Sequence, residues 1–264
     1  MGIAIIIIAA AAALYLFLMY QNEHIVVSRY TVETEKLDRD MTIVHLSDEH
    51  AKEFGPENRR LLKKVRAIEP DMIAVTGDVI SRWTAQIEPM VQTMMALQDT
   101  APVYYVPGNQ EFGNRRYSEL MSELSDVCEE TLFNRYVELR GVAIGGLDEL
   151  GHRIGRETFL SEFEKLDGFK ILLSHYADFE ELYQSYDIDL VLSGHAHGGQ
   201  FILPFIGGLY SSTQGVFPKH YRGMNIKNGT ASAISRGLGN SRFPFRLFNY
   251  PEIVVINVRG SRAE

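Results

Sequence analysis

Hydrophobic and polar positions divide this chain into two unequal parts. Residues 3–20 read IAIIIIAAAAALYLFLMY, an apolar run that no charge interrupts. A run of this length can cross the hydrocarbon core of a bilayer as a helix. Tyr15 and Tyr20 lie toward one end, where aromatic side chains favour the membrane–water interface. Met1 and Gly2 place no basic residue ahead of the run, which argues for an uncleaved anchor over a cleaved signal peptide. Residues 1–22 are therefore expected to be a single-pass anchor in the cell membrane, and residues 23–264 one further domain.

Beyond His24, short apolar runs alternate with segments of helical period. The pattern predicts an edge strand at 24–32 and strands at 41–46, 72–75, 103–106, 169–173 and 188–192. Late strands follow at 231–235 and 253–258. Helices are expected at 56–68, 87–97, 117–128 and 179–186, and a hairpin at 137–144 turning at Arg140-Gly141. Strands alternating with helices imply an α/β core.

Composition narrows the field. The chain has 264 residues, 45% of them apolar, enough for one sizeable core. Its formal net charge of −8 argues against a nucleic-acid partner held by phosphate contacts. The charge is uneven, because Lys219 to Glu264 carries eight basic against two acidic residues. Such a basic end suits anionic lipid or an anionic substrate, and equally a solvated rim. The single cysteine, Cys128, excludes an internal disulfide framework and a thiolate metal cluster.

The chemistry lies where the strands stop. Five apolar runs end in Asp48-Glu49-His50, Gly77-Asp78, Gly108-Asn109, His175 and Gly194-His195-Ala196-His197. Taken singly, Asp48-Glu49-His50, Gly77-Asp78 and Gly108-Asn109 read as turns, His175 as a hydrogen-bonded, partly buried histidine, and Gly194-His195-Ala196-His197 as a more specific but still weak signal. Taken together, they place metal-binding side chains at the carboxyl ends of several strands, which in α/β sheets open into one crevice. Asp48, His50, Asp78, Asn109, His175, His195 and His197 offer carboxylates, imidazoles and one amide oxygen. That donor set suits two divalent metal ions such as Mn, Fe, Zn or Ni. Seven ligands exceed the needs of one open site and fit two ions with a bridging carboxylate, an arrangement suited to in-line displacement at phosphorus.

In this order the five motifs resemble those of the calcineurin-like metallophosphoesterases. The stretches Gly198-Gly199-Gln200, Leu203-Pro204-Phe205, 235–241 and Pro251-Glu252-Ile253 further resemble the membrane-associated, YkuE-type bacterial branch. The resemblance covers about residues 40 to 258. It implies a four-layer α/β/β/α sandwich with two mixed sheets. It assigns Asp48, His50 and His197 to one metal, Asn109, His175 and His195 to the other, and Asp78 to both. A metal-bridging hydroxide would attack phosphorus in line. It also implies that the domain faces the extracytoplasmic side.

One position departs from the family pattern. Gln110 stands where a proton-donating His follows the Gly-Asn pair. An amide donates a hydrogen bond but transfers no proton, and general acid help is worth roughly 10²–10⁴-fold. Alkoxide leaving groups should suffer most and stable anions least. The implied activity is hydrolysis of phosphodiester, phosphomonoester or lipid-linked pyrophosphate bonds at the membrane. Two alternatives stay open. One is an enzyme similar to the UDP-diacylglucosamine pyrophosphatases, and the other is a weakened metal-binding membrane module. By charge type, Arg236, Asn240 and Arg222 are candidate substrate contacts. The uncharged stretch 201–218 and the aromatic stretch 243–250 are expected mainly to fill their own loops. The expected partners are the membrane and a phosphate-containing small molecule or lipid-linked substrate. Oligomeric state is not legible.

Overall fold

The computed structural model describes residues 2–139, 141–241 and 243–261; Met1, Arg140, Arg242 and residues 262–264 lie outside it, and with them the tip of the hairpin expected at Arg140. Strands in chain order are β1 (Val26–Thr34), β2 (Met41–Leu46), β3 (Met72–Val75), β4 (Val103–Tyr105), β5 (Glu130–Thr131), β6 (Arg135–Leu139), β7 (Val142–Leu147), β8 (Phe169–Tyr176), β9 (Leu190–Gly194), β10 (Ile202–Leu203), β11 (Gly207–Gly208), β12 (Tyr210–Ser211), β13 (Gly215–Val216), β14 (Gly223–Lys227), β15 (Thr230–Ile234) and β16 (Glu252–Gly260). Helices are α1 (Gly2–Glu23), α2 (Arg59–Arg66), α3 (Glu88–Gln98), α4 (Asn109–Phe112), α5 (Tyr117–Val127), α6 (Glu149–Arg153), α7 (Arg156–Phe163) and α8 (Glu180–Tyr183).

Two six-stranded mixed sheets form the centre, in the orders β1-β16-β2-β3-β4-β5 and β14-β15-β9-β8-β7-β6. Alternation along each strand sorts its side chains between two cores. In the first sheet Ile43, Met72, Ala74, Tyr104 and Val254 face the second sheet. Their neighbours Val44, Ile73, Val75, Val103 and Val255 face the other way, onto α2, α3 and α5. In the second sheet Ile144, Ile171 and Leu192 point inward, whereas Ala143, Leu172 and Val191 meet α7 and α8. Three cores between four layers give the α/β/β/α arrangement. The central strands read as continuous apolar runs because both faces are covered, whereas the edge strands β1, β6 and β14 are mostly half-buried or exposed.

The helices follow from their one-sided patterns. In α2, Leu61, Leu62 and Val65 are buried while Arg59, Arg60, Lys63 and Lys64 face water or the rim. Pro70, beyond the helix, prevents its continuation. Among the described residues, the one helix with no polar face is α1; it is long and apolar enough to cross a membrane, and the window that qualifies it is unburied. Most expected boundaries shift by one to three residues, as where 24–32 becomes 26–34 and 188–192 becomes 190–194. The strand at 169–173 runs on to Tyr176, because Ser174 still pairs with Leu147 and Tyr176 with Gly194. The helix at 179–186 shrinks to Glu180–Tyr183. Helices α6 and α7 were missed, lying in a stretch of weak period.

Candidate metal centre

Strands β2, β3 and β4 run parallel in the first sheet, and β8 and β9 run parallel in the second. Their carboxyl ends therefore share one side of the molecule, and all five motifs arrive there. Two ligand groups result: Asp48 with His50 and His197, and Asp78 with His175 and His195, the candidate atoms of each lying within 4.8 Å of one another.

In the first group His50 Nε2 lies 3.0 Å from His197 Nε2, and His197 Nε2 lies 3.4 Å from Asp48 Oδ1. In the second, His195 Nδ1 lies 3.0 Å from His175 Nε2. Asp78 sits between them, its Oδ2 being 3.2 Å from His175 Nε2 and 3.9 Å from His50 Nε2. Asn109 lines the same cavity, and its Oδ1 is buried with no hydrogen-bond donor.

The backbone carries strain at these positions. Asp48, His50, Asp78, His195 and His197 all have positive φ, between 48° and 67°. Five non-glycine residues in the left-handed region within one site are costly, on the order of 1–3 kcal/mol each, and persist only where the surroundings fix them. The surroundings do so. Ser47 Oγ donates to Asp48 Oδ2 at 2.7 Å, and the His195 N–H donates to the same oxygen at 3.0 Å. The Glu111 carboxylate accepts the N–H groups of Asp78 and Gly108, both at 2.9 Å, and so joins two of the ligand loops. Two glycines permit the close approach. A Cβ on Gly108 would lie 2.3 Å from Asp78 Oδ1, and one on Gly194 would lie 2.3 Å from Asp48 Oδ2.

Electrostatics follow from burial and proximity. Burial alone would raise the Asp78 carboxyl, but His175, His50 and His195 around it hold it well below the usual range. Burial alone would lower His175, yet the charges of Asp78 and Asp48 win and push it up to about 10. Burial pushes His197 down to about 3. His175 Nδ1 lies 2.7 Å from the Thr76 carbonyl, so that nitrogen carries the proton and Nε2 faces Asp78. Burial raises Glu49 to about 8, so it is neutral near pH 7, and it belongs to neither ligand group.

The donor set fits a pair of divalent cations. Carboxylate oxygens and imidazole nitrogens converge within van der Waals distance, and an amide oxygen is buried without a donor. Cations between them would satisfy these groups together. The first ion would be held by Asp48, His50 and His197, the second by Asn109, His175 and His195, with Asp78 shared.

The cavity over this centre measures about 850 Å³. Gln110 lines it, with its side-chain carbonyl accepting from the Arg82 backbone N–H and Nε–H, both at 3.3 Å. Asn240 also lines it, whereas Arg236 does not. The Arg236 guanidinium donates to the buried Glu252 carboxylate at 2.9 Å, an ion pair that withdraws it from the expected substrate role. Arg222 is exposed and lies 5.7 Å from the Tyr221 ring, also outside the cavity. Sequence reasoning missed Arg82, Trp83, Arg153, Tyr176 and Thr213, all of which line it. It missed Glu111 as well, although an acid three residues after a helix-capping Gly108 is a readable signal.

The chain belongs to the calcineurin-like phosphoesterase family, whose model matches residues 41–199. It is 30% identical to an uncharacterized metallophosphoesterase of Aquifex aeolicus over 89% of this chain and 92% of that one. It is 26% identical to the uncharacterized metallophosphoesterase YkuE of Bacillus subtilis, over 83% of this chain and 79% of that one. Its fold is similar to that of a dimetal phosphatase from Danio rerio, with a TM-score of 0.51 at 14% identity, over 75% of this chain and 88% of that structure.

Proposed function

We propose that this protein is a membrane-anchored phosphoesterase that uses two divalent cations to hydrolyse phosphodiester, phosphomonoester or lipid-linked pyrophosphate bonds. The observation that carries this reading is the place of Asp78. Its Oδ2 is within 3.9 Å of an imidazole nitrogen from each ligand group, the position of a shared ligand. Family membership and the dimetal phosphatase fold agree with it. When bound, the two cations supply Lewis-acid charge and an activated water.

The chain's own residues do the rest. Ser47 and the His195 N–H fix the Asp48 carboxylate, and Glu111 ties together the two loops that carry Asp78 and Asn109. Arg82 and Arg153 bring positive charge to the cavity wall, where phosphate oxygens would lie. With its carbonyl engaged by Arg82, Gln110 has its amide NH₂ left to donate toward a leaving oxygen. That hydrogen bond stabilises an anion and delivers no proton. Leaving groups that are already stable anions, such as nitrophenolate or a phosphate released from a pyrophosphate, are accordingly favoured.

The test is turnover of bis-p-nitrophenyl phosphate by the full chain in detergent, loaded with Mn and assayed for metal. Hydrolysis that disappears on chelation and returns with Mn is the expected result. Absence of turnover at full metal content would instead support a non-catalytic metal-binding module.

A further inference from the structure

Strand pairing places α1 at the catalytic end of the domain. Val26, which opens β1, pairs with Glu252, which opens β16. Strand β16 runs antiparallel to β2, so the end at which α1 enters is the end at which β2 delivers Asp48. No loose linker intervenes. The His24 N–H bonds to the Tyr20 carbonyl, and the Val26 N–H bonds to the Pro251 carbonyl. Asn22 is buried, donates to the Pro244 carbonyl and accepts from the Arg246 N–H, both at 3.2 Å.

The contact between Phe17 and Phe248 fixes the level of the neighbouring loops. These rings meet edge to face at 5.9 Å. Tyr20, at the end of the apolar run, packs against Tyr250. Phe17 lies three residues further into the run, about 4.5 Å along the helix axis. If α1 spans a bilayer, Phe248 is therefore level with its apolar part. From Phe248 the surface continues without a gap. Leu247 bridges to Phe201, whose ring packs on Phe243 at 5.4 Å. The Phe201 carbonyl accepts from Leu209, and the Leu209 carbonyl accepts from Phe217. Along this path the side chains point outward. Phe205 is 109% exposed, and Ile206, Val216, Phe217, Phe243 and Phe248 are also exposed. The packing role expected of these stretches falls instead to Ile202, which is buried, and to Leu209, which is half-buried.

We propose that this rim, Phe205, Ile206, Val216, Phe217, Phe243 and Phe248, rests in the surface of the lipid bilayer that α1 crosses. The occupant follows from continuity. An apolar surface of this kind marks an interaction site, and the apolar element that meets it is a helix of membrane-spanning length. Ser212 and Thr213 on one rim loop, and Asn240 and Ser241 ahead of the other, line the catalytic cavity. Docking sets the cavity mouth at the headgroup layer, where a phosphate on a lipid can enter without leaving the membrane. The proposal rests on reading α1 as an anchor and the domain as a phosphoesterase.

Single cysteines at Phe205→Cys, Phe217→Cys, Leu14→Cys and Asp38→Cys would each carry an environment-sensitive fluorophore on the full chain. Wild type, whose one thiol at Cys128 is buried, is the unlabelled control. Asp38, at the opposite end between β1 and β2, is the water-exposed reference. The variants enter nanodiscs of equal parts dioleoylphosphatidylcholine and dioleoylphosphatidylglycerol, with or without a lipid spin-labelled near its headgroup. Labels at 205 and 217 should shift to the blue and lose emission to the spin-labelled lipid, while the label at 38 does neither. Labels at 205 and 217 that behave like the one at 38 overturn the proposal. So does a blue shift without lipid quenching, which means that protein, such as a second copy, covers the rim. Failure of the anchor reading shows separately as an unquenched label at 14, and failure of the enzyme reading as absent nitrophenyl ester hydrolysis in the same samples.

Discussion

Asp78 and Phe205 show two ways of placing a side chain in this molecule. Asp78 is 2% exposed, its backbone is left-handed, and its N–H is tied to Glu111. Phe205 has a left-handed backbone as well, but its ring is fully exposed. At the cradle, strain is offset by a dense set of hydrogen bonds and serves convergence of ligands. At the rim it turns a short hairpin outward and leaves apolar surface in the open. The cradle gathers buried polar groups that cations would satisfy, whereas the rim exposes apolar surface that the proposed bilayer contact would cover.

The comparison can be broken most sharply at Asp78. Asp78→Asn removes a shared charge from both ligand groups, and turnover of bis-p-nitrophenyl phosphate should fall at least about a thousandfold. Gly194→Ala tests the close packing of the cradle. Its Cβ would press on Asp48 Oδ2, so metal affinity, followed by competition with a chelator, should weaken about 10–100-fold while circular dichroism stays unchanged. Gln110→His should restore a proton donor. The turnover of an alkyl phosphate ester should rise by about a hundredfold, with a smaller gain on the nitrophenyl ester. An equal gain on both would show that Gln110 does not set leaving-group preference. At the rim the effect is smallest. The double change Phe205→Ser with Phe217→Ser should leave kcat on the soluble nitrophenyl ester within about twofold, since exposed surface substitutions rarely disturb a fold. A larger loss would join the rim to the catalytic machinery.

The cradle was readable in the sequence because its ligands are chemically distinctive and stand at strand ends, where apolar runs give way to Asp, Asn and His. The α/β order and most strands were readable for the same reason, since burial on both faces makes them continuous apolar runs. Arg82 and Arg153 were not, because a basic residue in a loop carries no sign of which cavity it borders. Arg236 was assigned by charge alone, and the buried Glu252 that pairs with it lies sixteen residues away in sequence. The rim misled for a physical reason. Apolar residues look alike whether they fill a loop or cover a surface, and only the fold separates Ile202 from Phe205.

The central claim is that Asp78 joins two cation sites. The direct measurement is metal content per chain, by mass spectrometry of the full-length protein loaded with Mn, for wild type and Asp78→Asn. The account predicts two ions per wild-type chain and loss of both in the variant. A wild type that holds one ion or none, or a variant that retains two, would contradict it.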